Sequence, residues 1–271
     1  MENFLMCVTS DLAELLGTKI YLGQKIIYER LINVLAYQNK PVNLSTGPNA
    51  MILHIPARAQ MTQANNLNTQ GCGNLLDDMI RSTIPVTRSG GMSKSFSISE
   101  RALVYESGIY TIVQARNADA VYDALSRVPT NKRPIISREL LQYFNQTYKG
   151  WTIQLCCFDN KDTAKADPLM WWYEPMDTST FVLPGIDSHD GGVPNFQQPV
   201  NRDTYLIFGS DNFPRGIGHQ VDYTDNIPSL TRSFLPEKVI ATSIRGNTPN
   251  GDFVLSGNDV AQNNLSNLRI C

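Results

Sequence analysis

Between residues 150 and 250 the chain offers no apolar stripe of helix length. Short strand-like runs take its place, separated by turns rich in Gly, Pro, Asn and Asp. The clearest run has Trp151, Ile153, Leu155 and Cys157 alternating with Thr152 and Gln154, the period-2 pattern of a half-buried strand. Similar runs fall at 169–174, 204–209, 238–244 and 253–256. Consecutive strands without intervening helices are not the βαβα rhythm of a doubly wound fold, and they favour an antiparallel or mixed sheet.

Helical patterns fall earlier. Ile27, Leu31, Val34 and Leu35 stand at i, i+4, i+7 and i+8, which predicts a helix over 22–37. Further helices are expected after Asn74, from Asn117 to the residue before Pro129, and from Ser137 to Gly150; Asn117 and Ser137 serve as N-caps. The segment 41–49, with Pro41, Ser45, Gly47, Pro48 and Asn49, reads as a linker. The expected organisation is therefore α+β. A helical segment and linker span 1–48. A main domain spans 49–271, with its strands mostly after residue 95 and its helices grouped in the N-terminal half. The apolar face of the 22–37 helix either packs on that domain or meets a protein partner or a second copy.

Composition removes several classes. A net charge of −2 gives no global basic field for nucleic acid. No apolar run is long enough to span a bilayer. The five cysteines, Cys7, Cys72, Cys156, Cys157 and Cys271, include no CxxC pair, and they read as free thiols of a cytoplasmic protein. Charge is unevenly placed: residues 159–190 carry seven carboxylates against two lysines. That stretch reads as a solvated face, a cation site or a surface for a basic partner.

Three constellations are candidates for chemistry. Cys72 lies in Thr-Gln-Gly-Cys-Gly-Asn before an expected helix, where a helix dipole can favour a thiolate. His219 follows 147 positions later and is the matching candidate base of a hydrolase. Asp187, His189, Asp190 and His219 supply the ligand types of a divalent metal centre, without an HExxH or HxH spacing. Trp171, Trp172, Tyr173 and Glu174 form an aromatic run ending in a carboxylate, suited to stacking on a sugar or base, or to packing against a partner. No cofactor motif of the GxGxxG, Walker or GxSxG type is present. The sequence thus leads to a non-catalytic binding or assembly protein. A Cys72/His219 or His/Asp metal hydrolase is the alternative, and a carbohydrate or nucleotide binder the third reading.

Overall fold

Residues 22–37 form two strands joined by a tight turn, not a helix. A computed structural model describes residues 15–41, 47–83, 102–188 and 191–271. In it β1 (Leu15–Ile27) and β2 (Arg30–Pro41) form a long antiparallel hairpin. The helical periodicity misleads because both faces of these strands are covered. Val34 and Leu35 are adjacent in sequence, yet they enter different hydrophobic cores on opposite sides of the sheet. A strand buried on both faces loses its alternation and cannot be told from a buried helix by period alone. The turn is unmarked too. Tyr28 and Glu29 both adopt positive φ, 48° and 63°, where Asn-Gly would be usual.

This hairpin is central. A six-stranded sheet runs β10-β11-β9-β1-β2-β7. Its other members are β7 (Leu169–Tyr173), β9 (Val200–Ser210), β10 (His219–Gln220) and β11 (Lys238–Thr248). A four-stranded sheet runs β3-β6-β5-β4, from β3 (Pro48–Ile55), β4 (Leu103–Ser107), β5 (Tyr110–Ala115) and β6 (Thr152–Asp159). A three-stranded sheet contains β8 (Thr180–Leu183), β12 (Phe253–Ser256) and β13 (Arg269–Ile270). All described pairings are antiparallel except β1 with β9.

The layers follow from side-chain alternation. Ile20, Leu22, Leu35 and Tyr37 meet Leu53, Ile112, Cys156 and Phe253 in a core between the sheets. The outer face of the four-stranded sheet, with Val113, Leu155 and Cys157, is covered by α2 (Ala118–Ala124) and α3 (Arg138–Thr147). The outer face of the six-stranded sheet is covered by α1 (Leu75–Ser82) and α4 (Ser229–Phe234). The last helix, α5 (Gly257–Gln262), follows β12. The protein is therefore sheet-rich, with helices scattered along the chain. This corrects the expectation of N-terminal helices and strands mostly after residue 95.

Other expectations hold locally. Asn117 accepts from the Asp119 N–H and Ser137 from the Leu140 N–H, as N-caps should. Cys156 and Cys157 face opposite sides of β6, and the four described cysteines are free thiols. Cys7 lies outside the described residues, as does most of the expected linker. Among the described residues no helix is long and apolar enough to cross a membrane.

Candidate functional site

The aromatic run 171–174 is built into the framework of the fold, with Trp171 and Tyr173 buried and Trp172 and Glu174 half-buried. Trp171 and Tyr173 are 0% and 1% exposed, and Glu174 pairs with Arg30 at 2.8 Å. The two tryptophans project to opposite faces of β7, and each holds one wall of a cleft. Trp171 Nε1 donates to the hydroxyl of Tyr105 in β4 at 3.2 Å. Trp172 Nε1 donates to the Ala64 carbonyl at 3.0 Å, and Asn65 Nδ2 returns a bond to the Trp172 carbonyl at 2.8 Å.

Between these walls opens a cleft of about 400 Å³. Its sides are the loop 63–70, the β4–β5 turn at 106–108, the approach to β7 at 167–169 and the start of α4. Cross-bonds fix the rim. Asn66 Nδ2 donates to Ser107 Oγ at 3.3 Å, Thr231 Oγ1 donates to the Asn68 carbonyl at 2.6 Å, and Leu67 N–H donates to the Met170 carbonyl at 2.8 Å. The lining is polar. The amides of Gln63, Asn66, Asn68 and Gln70 dominate, joined by the carboxylates of Glu106 and Asp167. The dense amides of 63–70 were the available sequence signal. Glu106 could not be placed there from sequence, because its neighbours in the cleft lie far away along the chain.

Cys72 sits behind one side of this cleft, fully buried. The loop around it is tied by carboxylates: Asp167 accepts from the Gly71 N–H at 2.8 Å, and Asp225 from the Asn74 N–H at 2.8 Å. Burial pushes the Cys72 thiol up to about 12, and Asp225 and Asp167 add to the shift. Loop carboxylates beside the thiol, one of them on the Asn74 N–H at the helix start, thus disfavour a thiolate. His219 is exposed on the edge strand β10, and no hydrogen bond joins it to Cys72. Iodoacetamide near neutral pH is expected to alkylate the exposed Cys271 and leave Cys72 untouched until the chain unfolds. Rapid alkylation of native Cys72, slowed by His219→Ala, would restore the thiol mechanism.

Of the metal candidates, Asp187 is buried and faces Arg202, while His189 and Asp190 lie outside the described residues. Among the described residues no three His, Cys, Asp or Glu side chains converge to hold an ion.

The remaining histidine, His54 on β3, belongs to a buried polar node. Its Nε2 lies 2.7 Å from Asp252 Oδ2, which also accepts from the Tyr148 hydroxyl at 2.6 Å. Asp252 Oδ1 accepts from the Gly185 N–H at 2.8 Å. Burial alone would raise the Asp252 carboxyl, but His54, Tyr148 and Gly185 outweigh it and hold it below the ordinary value. Beside it Arg202, 2% exposed, donates to Thr248 Oγ1 at 2.7 Å and to the carbonyls of Gly185, Pro249 and Gly251 at 2.9, 3.3 and 3.3 Å. Gly185 is required here: a Cβ would lie 2.6 Å from the Gly251 carbonyl and 2.8 Å from the Phe253 ring. The node ties the four-stranded sheet to both of the others. His54, Asp252 and Arg202 are buried at its centre, and it reads as a structural clamp.

No protein-family model matches the chain, and no curated protein matches it. Two solved structures resemble it weakly. The crystal structure of baculovirus P35 is 11% identical with a TM-score of 0.41, over 94% of this chain and 92% of that one. A mutated baculovirus P35 after caspase cleavage is 11% identical with a TM-score of 0.40, over 89% and 91%. At that level the likeness has no bearing on the cleft or its chemistry.

Proposed function

We propose that this chain is a non-catalytic binding protein that holds a polypeptide segment in the cleft bounded by loop 63–70 and the β4–β5 turn. The observation that carries this reading is the lining. Side-chain amides present a donor and an acceptor side by side, the pattern that matches a peptide main chain. They are mounted on walls fixed by Trp171 and Trp172, so little order has to be gained on binding. The volume suits a few residues of an extended segment, not a large interface.

A peptide library displayed on phage and selected against the full chain tests this. Ala64 lines the cleft, and Ala64→Trp fills it. Selected peptides are expected to bind the parent chain and to lose binding by about tenfold or more, equal to about 1.4 kcal/mol, when the cleft is filled. Peptides that bind Ala64→Trp equally well would place recognition elsewhere.

A further inference from the structure

We propose that the core between the sheets holds an internal water site, built by Thr18, Asn39 and Thr204 where β2, β1 and β9 lie side by side. It is separate from the cleft and does not depend on what the cleft binds. Three observations lead to it.

The first is a set of buried oxygens left without partners. Thr18, Asn39 and Thr204 are 1%, 4% and 0% exposed. Thr18 Oγ1, Asn39 Oδ1 and Thr204 Oγ1 have no hydrogen-bond partner among the described residues. The other end of the Asn39 amide is engaged, donating from Nδ2 to the Tyr37 hydroxyl at 2.9 Å. Turning the amide over would leave its nitrogen unpaired in place of its oxygen. Native proteins rarely bury a polar atom unpaired, and a bridging water is the usual reason where one looks so.

The second is the register, which brings the three residues together. Thr18 of β1 pairs directly with Thr204 of β9. On the other side, β1 and β2 pair as Leu16 with Lys40 and then as Lys19 with Gln38, so Gly17 and Thr18 both stand opposite Asn39. Gly17 supplies the positive φ of that bulge, 65°. Alternation then puts the side chains on one face. Thr18 shares it with Ile20 and Leu22, Asn39 with Leu35 and Tyr37, and Thr204 with Leu206 and Phe208, all in the core between the sheets. Neighbouring strands lie about 4.8 Å apart. At that spacing two oxygens that do not bond each other can both reach one water at about 2.8 Å.

The third is the kind of group. Two hydroxyls and an amide oxygen carry no charge, and each hydroxyl can donate or accept. Water, with two donors and two acceptors, complements them together. Met51 reaches the site from the facing sheet, its sulfur 3.4 Å from Asn39 Nδ2, so apolar core closes over the row. The water joins three strands at the point where β1 slips register against β2, and it fastens the central hairpin to β9.

A high-resolution crystal structure of the full chain tests this without any variant. A water is expected within about 2.5–3.0 Å of Thr18 Oγ1 and of Asn39 Oδ1 or Thr204 Oγ1. Oxygen-17 relaxation dispersion then counts long-lived waters in solution. Thr18→Val and Thr204→Val keep the branched shape and remove one hydroxyl each. Either change is expected to lose the signal of about one internal water, and serine at the same position to retain it. No density among the three residues in the parent crystal overturns the proposal, even if a valine variant fails to fold. A long-lived water count unchanged in both folded valine variants overturns it too. So does a peak that gains electrons on soaking in a rubidium salt, which would mark a cation site.

Discussion

A chain beginning at Met51 is expected to lose cooperative thermal unfolding altogether. It would lack β1 and β2, the two strands that join β9 to β7. Those strands bury Ile20, Tyr21, Leu22, Ile32, Val34, Leu35 and Tyr37. At about 1.5–3 kcal/mol for each large apolar side chain, their burial contributes on the order of 10–20 kcal/mol. The whole stability of a domain is only about 5–15 kcal/mol. Deletion would also leave the facing edges of β7 and β9 unpaired, a template for aggregation. Circular dichroism and calorimetry of the truncated chain check this. A sharp transition near that of the full chain would show that residues 51–271 fold alone, the separable organisation that the linker-like chemistry at 41–49 suggests.

The second large effect is expected at Arg202. Arg202→Met keeps most of the apolar stem but removes the guanidinium. The carbonyls of Gly185, Pro249 and Gly251 then lose their donor inside the protein, and Asp252 loses a compensating cation. Burial lowers the Arg202 guanidinium to about 10, still high enough to keep it charged at neutral pH, with Asp187 and Asp252 opposing the shift. Removing one member of such a buried charged network costs about 3–5 kcal/mol, a fall of roughly 10 °C in Tm for a chain of this size. Urea unfolding of the variant against the parent measures it. A loss below about 1 kcal/mol would show that the node is already open to water. Lysine should rescue only in part, since it cannot reproduce the fork.

The sequence speaks most clearly where one signal has one structural outcome. The caps at Asn117 and Ser137 mark α2 and α3 because a side-chain oxygen before an apolar stripe has few other uses. The strand at β6 was legible because Trp151, Ile153, Leu155 and Cys157 are bracketed by turns, although Thr152 and Gln154 turn out to be buried as well. The hairpin of β1 and β2 was not legible. Its doubly buried strands show no alternation, and Tyr28-Glu29 gives no turn signal. The strand order, with β1 parallel to β9, brings together segments about 185 residues apart, as Thr18 and Thr204 pair. No local pattern encodes that.

The candidate site was partly legible. Trp171 and Trp172 were singled out for their rings, but their contribution is two indole N–H bonds that hold the cleft walls. Cys72 was singled out for its position before a helix, which the structure confirms, whereas its chemistry depends on Asp167 and Asp225 from distant loops. The cleft itself draws on four separate stretches, and amide density in one of them was the only local trace.

The fate of a bound peptide tests non-catalytic binding most directly. A phage-selected peptide that binds the parent chain and not Ala64→Trp is synthesised, incubated in excess with the full chain, and followed by mass spectrometry together with its binding stoichiometry. One peptide should bind per chain and be recovered at its original mass after many binding lifetimes. Cleavage or modification of the peptide, abolished by Ala64→Trp, would contradict that result and make the cleft an active site.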